Sequence, residues 1–247
     1  MAKNQEGVAH VLLIALIVIV LAAVGFVGYK VMSSRPQPQP VLTTNFIELD
    51  KVDKISKFRS CQGHVVVSQD SGETTRNMKH YVVLKPEFEG GGKVSVYAPF
   101  DGVIKSLSGQ RGPDLEGEIW LGNPNNDWDF SVQHIKVADN LKEGQKVSAG
   151  EELGTVANRG IDVVYGTMAH ETKNVEGVEL PYASLDSAFN HFDPKLVAEY
   201  QAHGINPADM SYSKEYRDQT PCKLEPNGPS KGQLNDHDHP EDWVTVR

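Results

Sequence analysis

Apolar and polar residues alternate along much of this chain, in short runs broken by Gly, Pro, Asn and Asp, and that pattern predicts strands rather than helices. Strand-like runs occupy residues 58–67, 78–84, 118–121, 128–135 and 161–165, with a polar loop predicted over 68–77. Two further runs, 94–104 and 141–156, are punctuated by Ala98-Pro99, Asp101-Gly102, Gly144, Gly150 and Gly154, as expected of tight turns in a compact β core. Helical spacing appears in fewer places. Phe46, Ile47, Leu49, Val52 and Ile55 suggest a short helix within 45–58, and 184–192 has helical character. Asp193-Pro194 is a helix start and Gly204 a stop, so 194–203 is predicted helical with Leu196, Val197 and Tyr200 inward; 213–218 is a second candidate.

Residues 8–32 are different in kind. No formal charge occurs from Gly7 to Tyr29, which is long enough to cross a hydrocarbon core of about 30 Å as a helix. Tyr29 and Lys30 suit the interface. The run exceeds the apolar region of a signal peptide, and no small-x-small cleavage site follows it. Flanking charge nearly ties, with Lys3 before the span and Lys30 and Arg35 after it. A short N-terminal tail and two distant cysteines favour N-terminus in, C-terminus out. Alternating Pro36, Pro38 and Pro40 give a semi-rigid extended linker. The expected organisation is a cytoplasmic tail (1–7), a transmembrane helix (8–32), a Pro-rich linker (33–45), a β domain (46–180) and a helical and loop appendage (181–247). The expected location is the plasma membrane, single-pass, with the globular part extracytoplasmic.

Charge removes one class of partner. The 247-residue chain carries a formal net charge of −9 and no Lys/Arg cluster, which excludes a nucleic-acid groove of the usual kind. Cys61 and Cys222 allow a single intramolecular bridge, expected outside the cytoplasm; two separate buried thiols are the alternative.

The segment Ala98-Pro99-Phe100-Asp101-Gly102-Val103, followed by Gly144-Gln145-Lys146-Val147-Ser148-Ala149-Gly150 and Leu153-Gly154, resembles the duplicated hybrid motif. Two families carry it: biotinyl/lipoyl carrier domains, and lysostaphin-like (LytM-type) zinc endopeptidases that cut peptidoglycan cross-bridges. Met78-Lys79 is similar to a carrier's attachment pair. About twenty residues then intervene before the Ala-Pro segment, and about forty separate Gly102 from Gly144, both too many for a carrier. The LytM-type fold has a long excursion there, ending in a Tyr-x-His-Leu segment that Val132-Gln133-His134-Ile135 resembles. The resemblance covers residues 79–165 and implies a mainly β, duplicated-hybrid-motif sandwich or barrel-like domain with a zinc site.

That family carries a His-x-x-x-Asp strand before the motif and a His-x-His strand after it. Here His80 stands at the first His, but Leu84 replaces the Asp, and the later strand Gly160-Ile161-Asp162-Val163 has no histidine. The resemblance therefore implies a degenerate site, with His134 as the catalytic histidine and His80, His134 and Asp162 as a two-His, one-carboxylate zinc set. His64 and His170 are available to supplement it. Each has a plainer reading: His80 as a core histidine, His170 as a loop histidine, Asp162 as a solvent-facing acid. Asp236-His237-Asp238-His239 is a His-x-His on a polar tail, without the strand that would aim two imidazoles. Arg59 and Arg76, with His64, are candidates to line a groove rim and receive a carboxylate.

Three functions follow. One is a non-catalytic, membrane-anchored LytM-like module binding cell-envelope glycopeptide or an envelope protein. Another is a peptidoglycan-directed zinc metalloendopeptidase with an altered ligand set. The third is a structural envelope protein.

Overall fold

In the computed structural model of the protein, the described residues are 41–68, 72–73, 75–109, 116–122, 127–167, 171–175, 178–225, 232–235 and 239–247. The chain divides into two units, 1–38 and 39–247, and the described residues all lie in the second. The apolar run 8–32, the linker as far as residue 40, His170, and 236–238 of the tail lie outside them. Among the described residues, no helix is long and apolar enough to cross a membrane.

The described chain is mainly β. Its strands are β1 (Val52–Ser56), β2 (Val67–Ser68), β3 (His80–Leu84), β4 (Ser95–Tyr97), β5 (Gly102–Gly109), β6 (Gly117–Gly122), β7 (Trp128–Val137), β8 (Lys146–Val147), β9 (Glu152–Val156), β10 (Gly160–Thr167), β11 (Glu171–Val175), β12 (Val178–Ala183), β13 (Leu185–Asp186) and β14 (Trp243–Thr245). Two α-helices follow the β-rich part, α1 (Pro194–Ala202) and α2 (Lys214–Gln219). The main sheet runs β14-β1-β3-β10-β7-β6-β5-β8, with β13 on β10, β9 on β7 and β4 on β9; β11, β12 and β2 form a smaller sheet.

The two Gly-punctuated runs of the sequence are partners in space. Val96 pairs with Gly154 in β4 and β9, and Gly102 with Val147 in β5 and β8. The forty-residue excursion between them contributes β6 and β7, which carry the sheet toward β10. Alternation on β3 sends His80, Val82 and Leu84 inward and leaves Tyr81 and Val83 half-buried on the other face.

Three expectations are corrected. Residues 45–58 are not a helix: a 3-10 turn at Leu49–Lys51 leads into β1, whose backbone is paired on both sides by β3 and β14. Residues 184–192 give two residues of strand paired with Tyr165 and Gly166, then a single 3-10 turn at Ala188–His191. The C-terminal third is part of the core rather than an appendage. Leu196, Tyr200, Ile205, Met210 and Val246 share one cluster with Val82, Phe130 and Val163. Phe46 lies between Phe130 of β7 and Tyr200 of α1, with ring centroids 5.3 and 6.3 Å away.

The helix starts are as read. The Asp193 carboxylate accepts from the Leu196 N–H at 2.7 Å, and Ser213 Oγ from the Tyr216 N–H at 3.1 Å. Cys61 and Cys222 are joined in a disulfide with Cα atoms 5.3 Å apart. It fastens the start of the domain to a segment 161 residues later. Beside it lies Arg217, fully buried, which donates to Cys61 Sγ at 2.8 Å, to the Arg59 carbonyl at 2.7 Å and to the buried Asp242 carboxylate at 3.1 Å.

Candidate functional site

Four adjacent strands build the site. Register places Asp162 of β10 opposite both Tyr81 of β3 and Gln133 of β7, and Gln133 opposite Glu118 of β6. Tyr81, Asp162, Gln133 and Glu118 thus form one row across the sheet, on the face away from His80. Lys79, two residues before Tyr81, reaches the same row. Its Nζ donates to Asp162 Oδ2 at 2.5 Å and to Gln133 Oε1 at 3.3 Å, and lies 5.2 Å from the centre of the Tyr81 ring. Glu118 sets the direction of Gln133: its carboxylate accepts from Gln133 Nε2 at 2.8 Å and from Ser131 Oγ at 2.9 Å, leaving the amide oxygen turned to the ammonium.

His134 stands at the end of this row because the ladder is broken there. Gly117 pairs with Ile135 and Glu118 with Gln133, so His134 is the extra residue of a β-bulge. Its φ of +64° is the left-handed conformation, uncommon for a residue with a side chain. The bulge turns the imidazole toward Asp162, whose Oδ2 is 3.5 Å from Nε2, while Nδ1 hydrogen-bonds the Glu116 carboxylate. Opposite, Gly63 has φ +68°, and a Cβ there would fall 2.0 Å from the Tyr81 hydroxyl oxygen. Glycine lets the backbone close on that ring, and the His64 N–H donates to the same oxygen at 3.4 Å.

The electrostatics follow from these contacts. The hydrogen bond to Asp162 pushes the His134 imidazole up to about 9, against its partial burial, and Glu116 adds to the effect. Burial works to raise the Asp162 carboxyl, but His134 and Lys79 outweigh it and hold it below the usual carboxylate range. His64 is pushed down, first by burial and then by the Lys79 charge. The row therefore brings Lys79, the lowered Asp162 carboxyl and the raised His134 imidazole into contact, with the lowered His64 beside them.

Tyr81, Glu116, His134 and Asp162 of this site line a cleft of about 490 Å³, together with Lys54, Arg159 and Trp243 among others.

The site joins some of the residues singled out in the sequence and separates others. His134 and Asp162 are together, and His64 is beside them. His80 is not. It points into the core, where Nδ1 meets the Ser56 carbonyl at 2.8 Å and Nε2 the Ser187 Oγ at 2.9 Å, and burial pushes it down to about 4. One residue of strand parity removes it from any ligand set with His134 and Asp162. Arg59 and Arg76 do not line the groove either. Both clamp the buried Glu73 carboxylate, Arg59 at 2.7 and 2.9 Å and Arg76 at 2.9 Å, and Arg76 also reaches Asp218 at 2.7 Å.

A zinc ion does not fit this donor set. Zinc ligands must be deprotonated, and Asp162 and Glu116 raise the His134 imidazole, so a metal would have to displace its proton. The Lys79 ammonium already lies on the Asp162 oxygen that would be a ligand, so a dication would meet that positive charge. One other group among the described residues, Cys61, His239 and Asp242, has donor atoms close together. There Cys61 Sγ is in the disulfide and Asp242 is paired with Arg217 at 3.1 Å, so that group does not fit a metal either.

Lys79, Gln133, Glu116 and Glu118 were not read from the sequence as site residues. Lys79 drew notice only as a carrier-like lysine; the usable signal was its spacing of two from Tyr81.

No family model matches the chain, and no curated protein matches it. Among solved structures, it is similar to a protein described as a glycyl-glycine endopeptidase, LytM, from Ruminococcus gnavus, at 14% identity and a TM-score of 0.28. The match covers 53% of this chain and spans 58% of that one. A likeness of that size assigns neither fold nor activity.

Proposed function

We propose that the protein is a non-catalytic, LytM-like binding module of the cell envelope, held at the membrane by residues 8–32, whose cleft receives envelope glycopeptide or an envelope protein. The hybrid-motif resemblance supports the fold assignment, together with the pairing of its two ends as β4–β9 and β5–β8. One observation carries the loss of catalysis: the Lys79 ammonium lies 2.5 Å from Asp162, on the oxygen where a metal would need its carboxylate. His134 points the same way: Asp162 and Glu116 favour its protonated form, which has no lone pair with which to take a proton from water. The cleft, with apolar and charged residues in its walls, has room for several residues of an extended chain.

The test is co-sedimentation of the protein with purified sacculi, with soluble fragments measured in the same tubes before and after adding zinc. Retention on the sacculi with no fragment release in either condition is expected. Zinc-dependent release that a chelator abolishes would overturn the proposal in favour of the altered-ligand endopeptidase. Absence from both the pellet and the reaction would favour a structural envelope protein.

A further inference from the structure

Tyr81, Asp162 and His134 line one part of the cleft; Lys54 of β1 and Trp243 of β14 line another. Register runs Thr245, Lys54, Val83, Gly160 across β14, β1, β3 and β10, two residues along the strands from the Tyr81 and Asp162 row and so on the same face. Trp243, on the edge strand, holds Lys54 in place: the ammonium lies 4.5 Å from the indole centroid. Among the described residues Lys54 has no acidic partner. Arg159 enters from the turn before β10, three-quarters exposed, with Glu89 at 3.3 Å. Lys54 and Arg159 both line the cleft, as do the acids Glu116 and Asp162, and Lys54 is the one of the two cations without an acid of its own. An ammonium left without an acidic partner in a cleft attracts an anion.

The aromatic walls narrow the ligand further. A sugar-binding platform needs a bare ring face. Here Lys54 covers Trp243, and Lys79 lies over Tyr81 at 5.2 Å. Asn158 is among the other lining residues and offers a hydrogen-bonding amide. From β1 to β7 the cleft crosses three strand intervals, about 14 Å, which is about four residues of extended peptide.

We infer that Lys54 and Arg159 form a carboxylate subsite, and that the cleft's occupant is a short extended peptide with a free carboxylate at this end and its other end against His134. The inference rests on the binding reading above and names the ligand class for that same cleft.

The test uses immobilised full-length protein and a pentapeptide library split into free-acid and C-terminally amidated halves. Wild type is compared with Lys54→Ala and Lys57→Ala. Lys57 is the control, a lysine whose ammonium lies over Tyr212 at 4.8 Å and outside the cleft lining. Expected is about a tenfold preference for free acids, the size of one charge-assisted hydrogen bond, lost in Lys54→Ala and kept in Lys57→Ala. Equal capture of acids and amides would overturn the subsite while leaving the groove reading standing. Capture of neither half by wild type would overturn both. Equal loss in the two lysine variants would reduce the effect to general surface charge and overturn the subsite, as would displacement of bound peptide by peptide-free glycan strands.

Discussion

Lys79→Met isolates the interaction on which the site is built. Methionine keeps most of the apolar stem of lysine and removes the ammonium. Lys79 and Asp162 side chains are 3% and 6% exposed, so both charges are withdrawn from water. Breaking such a pair costs about 3–5 kcal/mol, because the remaining charge is left without its partner. Two features of the site adjust that range. His134 stays 3.5 Å from Asp162 and keeps part of the compensation, whereas Gln133 Oε1 loses its donor. The expected loss is therefore at the lower end, about 3 kcal/mol. Urea unfolding followed by far-ultraviolet circular dichroism measures it: with a slope of about 2 kcal/mol/M, the midpoint falls by about 1.5 M at unchanged slope. The double variant Lys79→Met/Asp162→Asn removes both charges and should regain about 2 kcal/mol over additivity. A loss below about 1 kcal/mol, or additive single changes, would refute the claim that Lys79 is the cation this site depends on.

Other expectations follow from groups elsewhere. His80 is depressed to about 4 from 6.5, so its contribution is full above pH 6.5 and is lost as pH falls toward 4, on the order of 3 kcal/mol. His80→Gln should be less stable than wild type at pH 7, with a smaller further loss at pH 4.5, as read by urea midpoints. His134 is raised to about 9, so its contribution is full below pH 6.5 and disappears as pH rises through 9. Its side chain is 47% exposed, so screening keeps the energetic effect small, and the direct test is an NMR titration. The imidazole midpoint should lie near 9 and fall toward 6.5 in Asp162→Asn; a wild-type midpoint near 6.5 would contradict the pairing. Replacing Cys61 and Cys222 by Ala opens a loop with 161-residue separation, worth about 5 kcal/mol in the chain-entropy model, and should lower the thermal midpoint by at least ten degrees or so.

The strands were legible where alternation and turn residues agree, as at β7 and β10. Helix α1 was legible because Asp193-Pro194 is a local signal that needs no partner. The segment 45–58 misled for a physical reason. Phe46, Ile47, Leu49, Val52 and Ile55 are all buried, but through a bridge of Ile47 to Val96, a 3-10 turn and a strand in succession, not along one helical face. Tertiary pairing by β3 and β14 imposed the strand. The same limit applies to the site. His134 and Asp162 stood out by residue type and spacing, yet which β3 residue faces Asp162 depends on register, which no local pattern carries. The register selects Tyr81 and Lys79 and turns His80 to the core. The Arg59 and Arg76 pair was likewise drawn off by Glu73, an acid in the stretch read only as a polar loop.

The most direct test is the zinc content of the purified protein after gel filtration in trace-metal-clean buffer, by elemental analysis, for wild type, His134→Ala and Asp162→Ala. With Lys79 and His134 against Asp162, far less than one zinc per chain is expected in all three. One zinc per wild-type chain, lost in both variants, would show that the carboxylate takes a metal in preference to the ammonium and would contradict it.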